Sequence, residues 1–217
     1  MECGAQVELS GERLLLLPQR ALYWKRRETL VVTDTHFGKA GAFRAAAVAV
    51  PEGSTAAMLA RLDSALLATA ATRLIFLGDF WHAPAGRSPA LVEELTRWRE
   101  RHPQLRVELV LGNHDLRVGP TPTEWKFEVH REPRVDEPFV FAHYPDARDE
   151  GYVLAGHLHP GYVLHGRGRQ RLRLACFHFG PLVGVLPAFG EFTGLANVEM
   201  QSGDRCYVIA ENEVIGM

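Results

Sequence analysis

The segment Thr29-Leu30-Val31-Val32-Thr33-Asp34-Thr35-His36-Phe37-Gly38 sets a pattern that recurs along the chain. Its first five residues, apolar or β-branched, form a run of buried-strand type. The run stops at Asp34 and His36, two side chains of metal-ligating chemistry separated by one residue. Downstream, Arg73–Leu77 leads into Gly78-Asp79-Phe80-Trp81-His82, and residues 106–111 into Gly112-Asn113-His114-Asp115. Residues 138–142 lead into His143-Tyr144, and Tyr152–Ala155 into Gly156-His157-Leu158-His159. Helical stretches lie between these runs. Ser54 is a candidate N-cap for a helix over 55–70, with Met58, Leu59, Leu62, Leu66 and Leu67 as its apolar stripe. Ser88-Pro89 opens a second helix that runs to about Glu100 and ends before Pro103. Strands alternating with helices predict an α/β fold with a largely parallel central sheet. Residues 162–214 and the segment before residue 28 lack helical periodicity and read as hairpins, so antiparallel strands are expected at both ends.

The chain of 217 residues is long enough for one substantial core, and no linker or repeat divides it, so a single domain over 1–217 is expected. The longest uncharged stretch, 174–190, is broken by His178, Gly180, Pro181 and Pro187 and is no membrane span. No secretory leader is expected, since the chain opens with Glu2 and Cys3 and no long apolar run. Three cysteines, odd in number and widely spaced, suit free thiols in a cytoplasmic protein and argue against a disulfide framework or a Cys-based zinc site. The formal net charge of -2 gives no global sign of a polyanion partner.

In open α/β sheets, ligands bind beyond the carboxyl ends of the strands, so the five polar clusters are expected to converge on one crevice. A metal pair needs hard oxygen donors, imidazoles and one carboxylate able to bridge both ions. In Asp-x-His and His-x-His the middle residue turns away, which lets two donors face one cavity. Glycines at 78, 112 and 156 let the backbone turn sharply where a Cβ would crowd the donors.

These motifs resemble the calcineurin-like metallophosphoesterases, whose pattern of Asp-x-His, Gly-Asp-x-x-Asp/His, Gly-Asn-His-Asp/Glu, a lone His and Gly-His-x-His spans Asp34 to His159 here. The resemblance implies two facing mixed β-sheets flanked by helices, with a dimetal site at strand ends. It implies one ion on Asp34, His36, Asp79 and His159 and another on Asp79, Asn113, His143 and His157, with Asp79 as the bridge. In the implied mechanism a hydroxide bridging the metals attacks phosphorus in line, and His114 stabilises the transition state and protonates the leaving oxygen. Asp115 is expected to brace its turn through hydrogen bonds. Where many family phosphatases carry Asp, this chain has His82, as in the DNA double-strand-break nuclease branch. Such a partner cannot raise the pKa of His114 as a carboxylate would, and His82 itself becomes a candidate for touching the phosphate or leaving group.

Asp34-Thr35-His36-Phe37-Gly38-Lys39-Ala40, Phe43-Arg44, Val50-Pro51 and the stretch from Leu186 to Gly194 resemble the ligase-associated DNA damage response endonuclease group (PdeM). That similarity implies a manganese-dependent phosphodiesterase with DNA endonuclease activity. It implies action in DNA repair beside a ligase, a helicase and an exonuclease, with iron or zinc as other metals that the donors accept. Lys39 and Arg44 are candidates for the scissile phosphate. Arg167, Arg169, Arg171 and Arg173 recur with period 2; on one strand they would share a face able to track phosphates, whereas a turn at Gly166 and Gly168 would break it. The competing reading of that row is a charged hairpin edge. Arg20, Lys25, Arg26 and Arg27 read as solvated surface, and Phe189 and Phe192 as core. Two other functions stay open: a hydrolase of small nucleotide phosphodiesters or pyrophosphates, and a metal-poor scaffold that binds proteins.

Overall fold

The computed structural model describes residues 4–50, 53–131, 133–166, 168 and 170–217, and in them two β-sheets face one another. The first contains β1 (Ala5–Leu9), β2 (Glu12–Leu17), β3 (Ala21–Trp24), β4 (Thr29–Thr33), β5 (Arg73–Leu77), β6 (Arg106–Val110) and β7 (Glu128–His130), in sequence order. β1 to β4 form an antiparallel meander, whereas β4 to β7 run parallel. The second sheet is built from β8 (Arg134–Asp136), β9 (Phe139–Phe141), β10 (Tyr152–Ala155), β11 (Pro160–His165), β12 (Arg171–Phe179), β13 (Val183–Val185), β14 (Ala196–Asn197), β15 (Arg205–Ala210) and β16 (Glu213–Gly216). Its centre, β9-β10-β13, is parallel, and the hairpins β11-β12 and β15-β16 are antiparallel.

Alternation along the strands separates two cores. Leu30, Val32, Leu74, Phe76, Val107 and Leu109 face the helices. Val31, Ile75, Leu77 and Val110 face Phe139, Phe141, Leu154, Phe177 and Phe179 across the gap between sheets. Every residue of β4 and β5 is buried, as a parallel strand covered on both faces requires. The register places Thr33, Leu77 and Val110 side by side, so the turns that follow all open on one edge.

The helices are α1 (Lys39–Ala45), α2 (Ser54–Thr69), α3 (Pro89–Arg101) and α4 (Asn113–Val118). Ser88 caps α3 as expected, its Oγ accepting from Leu91 N at 3.2 Å. Ser54 is not a cap: it is already helical, and Gly53, at φ 79°, enters α2 without a side-chain bond. Leu67 is 87% exposed, off the buried face of Met58, Leu59, Leu62, Ala65, Leu66 and Thr69, because five residues from Leu62 turn it by about 140°. The short α1 was not expected, since seven residues are too few to show a helical period. Cys176 and Cys206 are free and buried; Cys3 lies outside the described residues. Among the described residues no helix is long and apolar enough to cross a membrane.

Candidate metal centre

The seven residues expected as ligands come together where β4, β5, β6, β9 and β10 end. Two donor groups form. In the first, His36 Nε2 lies 3.5 Å from His159 Nε2, Asp34 Oδ1 lies 3.7 Å from His159 Nε2, and His36 Nε2 lies 3.9 Å from Asp79 Oδ2. In the second, His143 Nε2 lies 3.2 Å from Asn113 Oδ1, 3.1 Å from His157 Nδ1 and 3.6 Å from Asp79 Oδ1. Asp79 thus faces one group with each of its oxygens.

Backbone amides set the carboxylates. His157 N donates to Asp34 Oδ2 and His114 N to Asp79 Oδ1, each at 2.9 Å. Asp34 Oδ1 is left fully buried with no hydrogen-bond partner. An orphaned carboxylate oxygen is expensive in a protein interior. The nearest imidazole nitrogens, His159 Nε2 and His143 Nδ1, stand 3.7 and 3.8 Å from it, too far for a hydrogen bond. Donors on one ion at about 2.1 Å sit roughly 3–3.5 Å apart, close to the spacing of the second group. By donor chemistry and by this orphaned oxygen, the residues fit a pair of divalent ions.

Five of the donor residues also carry a strained backbone. Asp34, His36, Asp79, His157 and His159 have φ between 47° and 68°. The left-handed region is uncommon for residues other than glycine, although Asp and His tolerate it better than most. Each such residue costs on the order of 1–3 kcal/mol, so the surrounding structure must hold it. The first two turns zip together for this purpose, with His36 N on Asp79 O at 2.8 Å and Phe37 N on Phe80 O at 2.7 Å. Glycines leave room for the donors: a Cβ on Gly112 would strike Asp79, on Gly156 Asp34 and on Gly78 His143.

Asp115 accepts from Gly112 N and Trp81 N at 2.9 Å and from Phe80 N at 3.3 Å, locking the second and third turns together. Burial nonetheless raises its pKa to about 6, the three amides only partly offsetting it. Burial, with Lys39 close by, pulls the His36 pKa down to about 2. His36 is therefore a neutral imidazole, the form that binds metal.

His114 Nδ1 meets the backbone carbonyl of His82 at 2.5 Å, and because a carbonyl only accepts, Nδ1 carries the proton. Nε2 then points inward, 3.8 Å from Asp79 Oδ2. The His82 ring does not hydrogen-bond to His114; the rings stack at 5.3 Å and 19°. Residue 82 therefore orients His114 through its main chain, which no reading of side-chain identity foresaw. Burial, Lys39 and His114 lower the His82 pKa to about 4.

Lys39 lines a small pocket with His36, whereas Arg44 is exposed in the last turn of α1. Arg167 and Arg169 lie outside the described residues. Of that row the described residues contain Arg171 and Arg173, both on β12, which begins at Arg171. Two further expectations need correction. Arg20 is not solvated surface; its Nη1 reaches the carbonyls of Ala188 and Gly190 at 3.4 and 3.3 Å. Phe189 is buried, but Phe192 is 40% exposed. One neighbour was missed. Tyr144 packs on His143 and His157 at ring distances of 4.9 and 4.7 Å, with its hydroxyl 3.4 Å from Asn113 Oδ1. Its place directly after His143 was the only available signal.

A family model described as calcineurin-like phosphoesterase matches residues 28–186. The chain belongs to this family and is a metal-dependent phosphoesterase. Among solved structures it is similar to Pseudomonas putida nuclease MPE, with 42% identity over 99% of this chain and 100% of that one, at a TM-score of 0.87. It is also similar to Yfce, a phosphoesterase from E. coli (15% identity, 86% of this chain and 96% of that one, TM-score 0.41). A third is AQ665 from Aquifex aeolicus, of unknown function (23% identity, 60% and 78%, TM-score 0.41). No curated protein gave a match.

Proposed function

We propose that this chain is a manganese-dependent phosphodiesterase that cleaves DNA. The observation that carries the reading is the double donor group spanned by Asp79, joined to full-length similarity with a nuclease. We assign one ion to Asp34, His36, Asp79 and His159, and the other to Asp79, Asn113, His143 and His157. When bound, such a pair lowers the pKa of a water nucleophile and neutralises phosphoryl oxygens. Asp79 and Asp34, each pinned by an amide, keep the donors fixed so that little reorganisation is needed during reaction. His114, with its proton held at Nδ1 by the His82 carbonyl, presents Nε2 to the substrate. Protonated there, it stabilises charge on the phosphoryl group and delivers a proton to the departing oxygen. His82, whose pKa burial, Lys39 and His114 lower to about 4, stands on the leaving-group side beside it.

Between the Asp79 turn and Asn113 lie a 3-10 turn (Pro84–Gly86), α3 and β6, with no lid domain, which supports access for a polymer. The resemblance to the ligase-associated group supports a place in DNA repair. Supercoiled plasmid incubated with manganese should be nicked, and Asp79→Ala and Asn113→Ala proteins should leave it intact. Plasmid untouched under several divalent metals, with one small nucleotide turned over strongly, would move the assignment to a small-molecule hydrolase.

A further inference from the structure

Residues 188–195 strap the edge of the metal centre to a second cavity. Phe189 N bonds Thr33 O at 2.8 Å and Gly190 N bonds Asp34 O at 3.0 Å, so the segment is fixed to the first donor turn. A Cβ on Gly190 would stand 2.5 Å from Thr35 O, which shows how closely the two backbones approach. Glu191 and Phe192 then line the pocket beside His36 and Lys39 on one side. On the other they line a groove of about 430 Å³ walled by Arg20, Arg61 and Arg173.

Three separate elements supply those arginines: the turn after β2, the middle of α2, and β12. Their N–H groups are used mainly on main-chain carbonyls. Arg20 takes Ala188 and Gly190, Arg61 takes Phe189, and Arg173 takes Leu195 at 3.2 Å. Carbonyls satisfy donors but cancel no charge. The carboxylate lining the groove, Glu191, is 3.6 Å from Arg61, so three positive groups face one negative. Arg61 Nε is buried without any partner. Burial, and the charge of Arg20 beside it, depress the Arg61 pKa to about 10. Phe192, at φ 58°, is held at the rim, 40% exposed, where it contributes little to the core.

We propose that this groove holds the polynucleotide strand on one side of the scissile phosphate, Arg173 meeting a backbone phosphate, Phe192 stacking on a base and Arg61 adding positive charge from beneath; the proposal rests on the nuclease reading above. A basic groove with an aromatic platform is the usual design for single strands, because every unpaired base offers a π-face that a duplex conceals. The groove is additional to the pocket beside the metals, so a substrate uses it only by extending past the reacting phosphate.

The test compares manganese-loaded wild-type protein with Arg61→Gln, Arg173→Gln and Phe192→Ala, and with Arg97→Ala on the exposed face of α3 as a control. Cleavage of a fluorescent oligothymidylate is followed beside hydrolysis of bis(4-nitrophenyl) phosphate. Phe192→Ala should raise the oligonucleotide KM by about fivefold or more, the low end for a lost stacking contact. Arg173→Gln should reduce the salt slope of log(1/KM) by about 0.7, one single-strand phosphate contact. Efficiency on the oligonucleotide relative to the small ester should fall with each, and Arg97→Ala should match wild type on both. If Arg61→Gln fails to fold, the two surface variants still decide. Wild-type cleavage of DNA with unchanged KM and salt slope in these variants would overturn the groove and leave the nuclease reading intact. Losses confined to duplex cleavage would overturn the single-strand assignment. Turnover of the small ester with no cleavage of any oligonucleotide by wild type would overturn the nuclease reading itself.

Discussion

Replacing Gly112 by alanine adds one methyl group where the backbone, at φ -97° and ψ 176°, suits any residue. The new Cβ would run into the amide nitrogen and Oδ1 of Asp79 and lie 3.0 Å from its Cγ. Non-bonded carbons rest at about 3.5–4.0 Å, so the Asp79 carboxylate must retreat by on the order of 1 Å. A misplacement of that size in a reacting constellation costs roughly 10²-fold. The crowding itself costs about 1–3 kcal/mol, roughly 2–10 °C in Tm for a chain of this size. Because Asp79 serves both donor groups, kcat/KM for bis(4-nitrophenyl) phosphate should fall about 100-fold, while the protein stays folded in a thermal melt. Gly203→Ala is the matched control. Gly203 has φ 93° with nothing within 4 Å, so the substitution brings backbone strain of about 1 kcal/mol and no displaced donor. A folded Gly112→Ala protein with activity within about threefold of wild type would refute the reasoning, since tighter placement than that is what the geometry requires.

If His114 protonates the leaving oxygen, His114→Ala should reduce turnover of an alkyl phosphodiester much more than that of a nitrophenyl ester, and equal losses would point to phosphate charge stabilisation instead. Glu108 is wholly buried; burial alone would raise its pKa, but Arg73 at 2.6 Å and Arg106 beside it hold it below the usual carboxylate range. Its folded pKa is depressed, so its stabilisation is present above the unfolded value near pH 4 and fades as pH falls through the folded one. Glu108→Gln should cost about 3 kcal/mol in urea denaturation at pH 7, the lower end for a broken buried pair since Asp136 still holds Arg73. The difference should shrink on acidification below pH 4; a constant difference down to pH 2 would exclude this origin.

The strands before the donors were legible because each is a short apolar run ending in a polar turn, and β4, β5 and β10 have the bounds that the sequence suggested. The donors were legible for the same local reason: Asp34 and His36, or His157 and His159, announce themselves within three residues. Features that depend on chain segments far apart were not. Arg20 and Arg61 reach Ala188, Phe189 and Gly190 across 128 to 170 residues, and no periodicity or spacing connects them. The main-chain part that residue 82 plays was hidden for another reason. Its contact with His114 is made by the carbonyl that every residue carries, so side-chain identity held no information about it. Ser54 shows the limit of cap rules, since Gly53 supplied a left-handed entry that made a side-chain cap unnecessary.

The central claim is that seven side chains hold two ions bridged by Asp79. Manganese titration of metal-free protein, followed by calorimetry and by electron paramagnetic resonance, addresses it directly. Wild type should bind two ions per chain and give an exchange-coupled spectrum, whereas Asp79→Ala should lose the coupling and at least one ion. A single uncoupled ion in wild type, or two ions bound unchanged by Asp79→Ala, would contradict it.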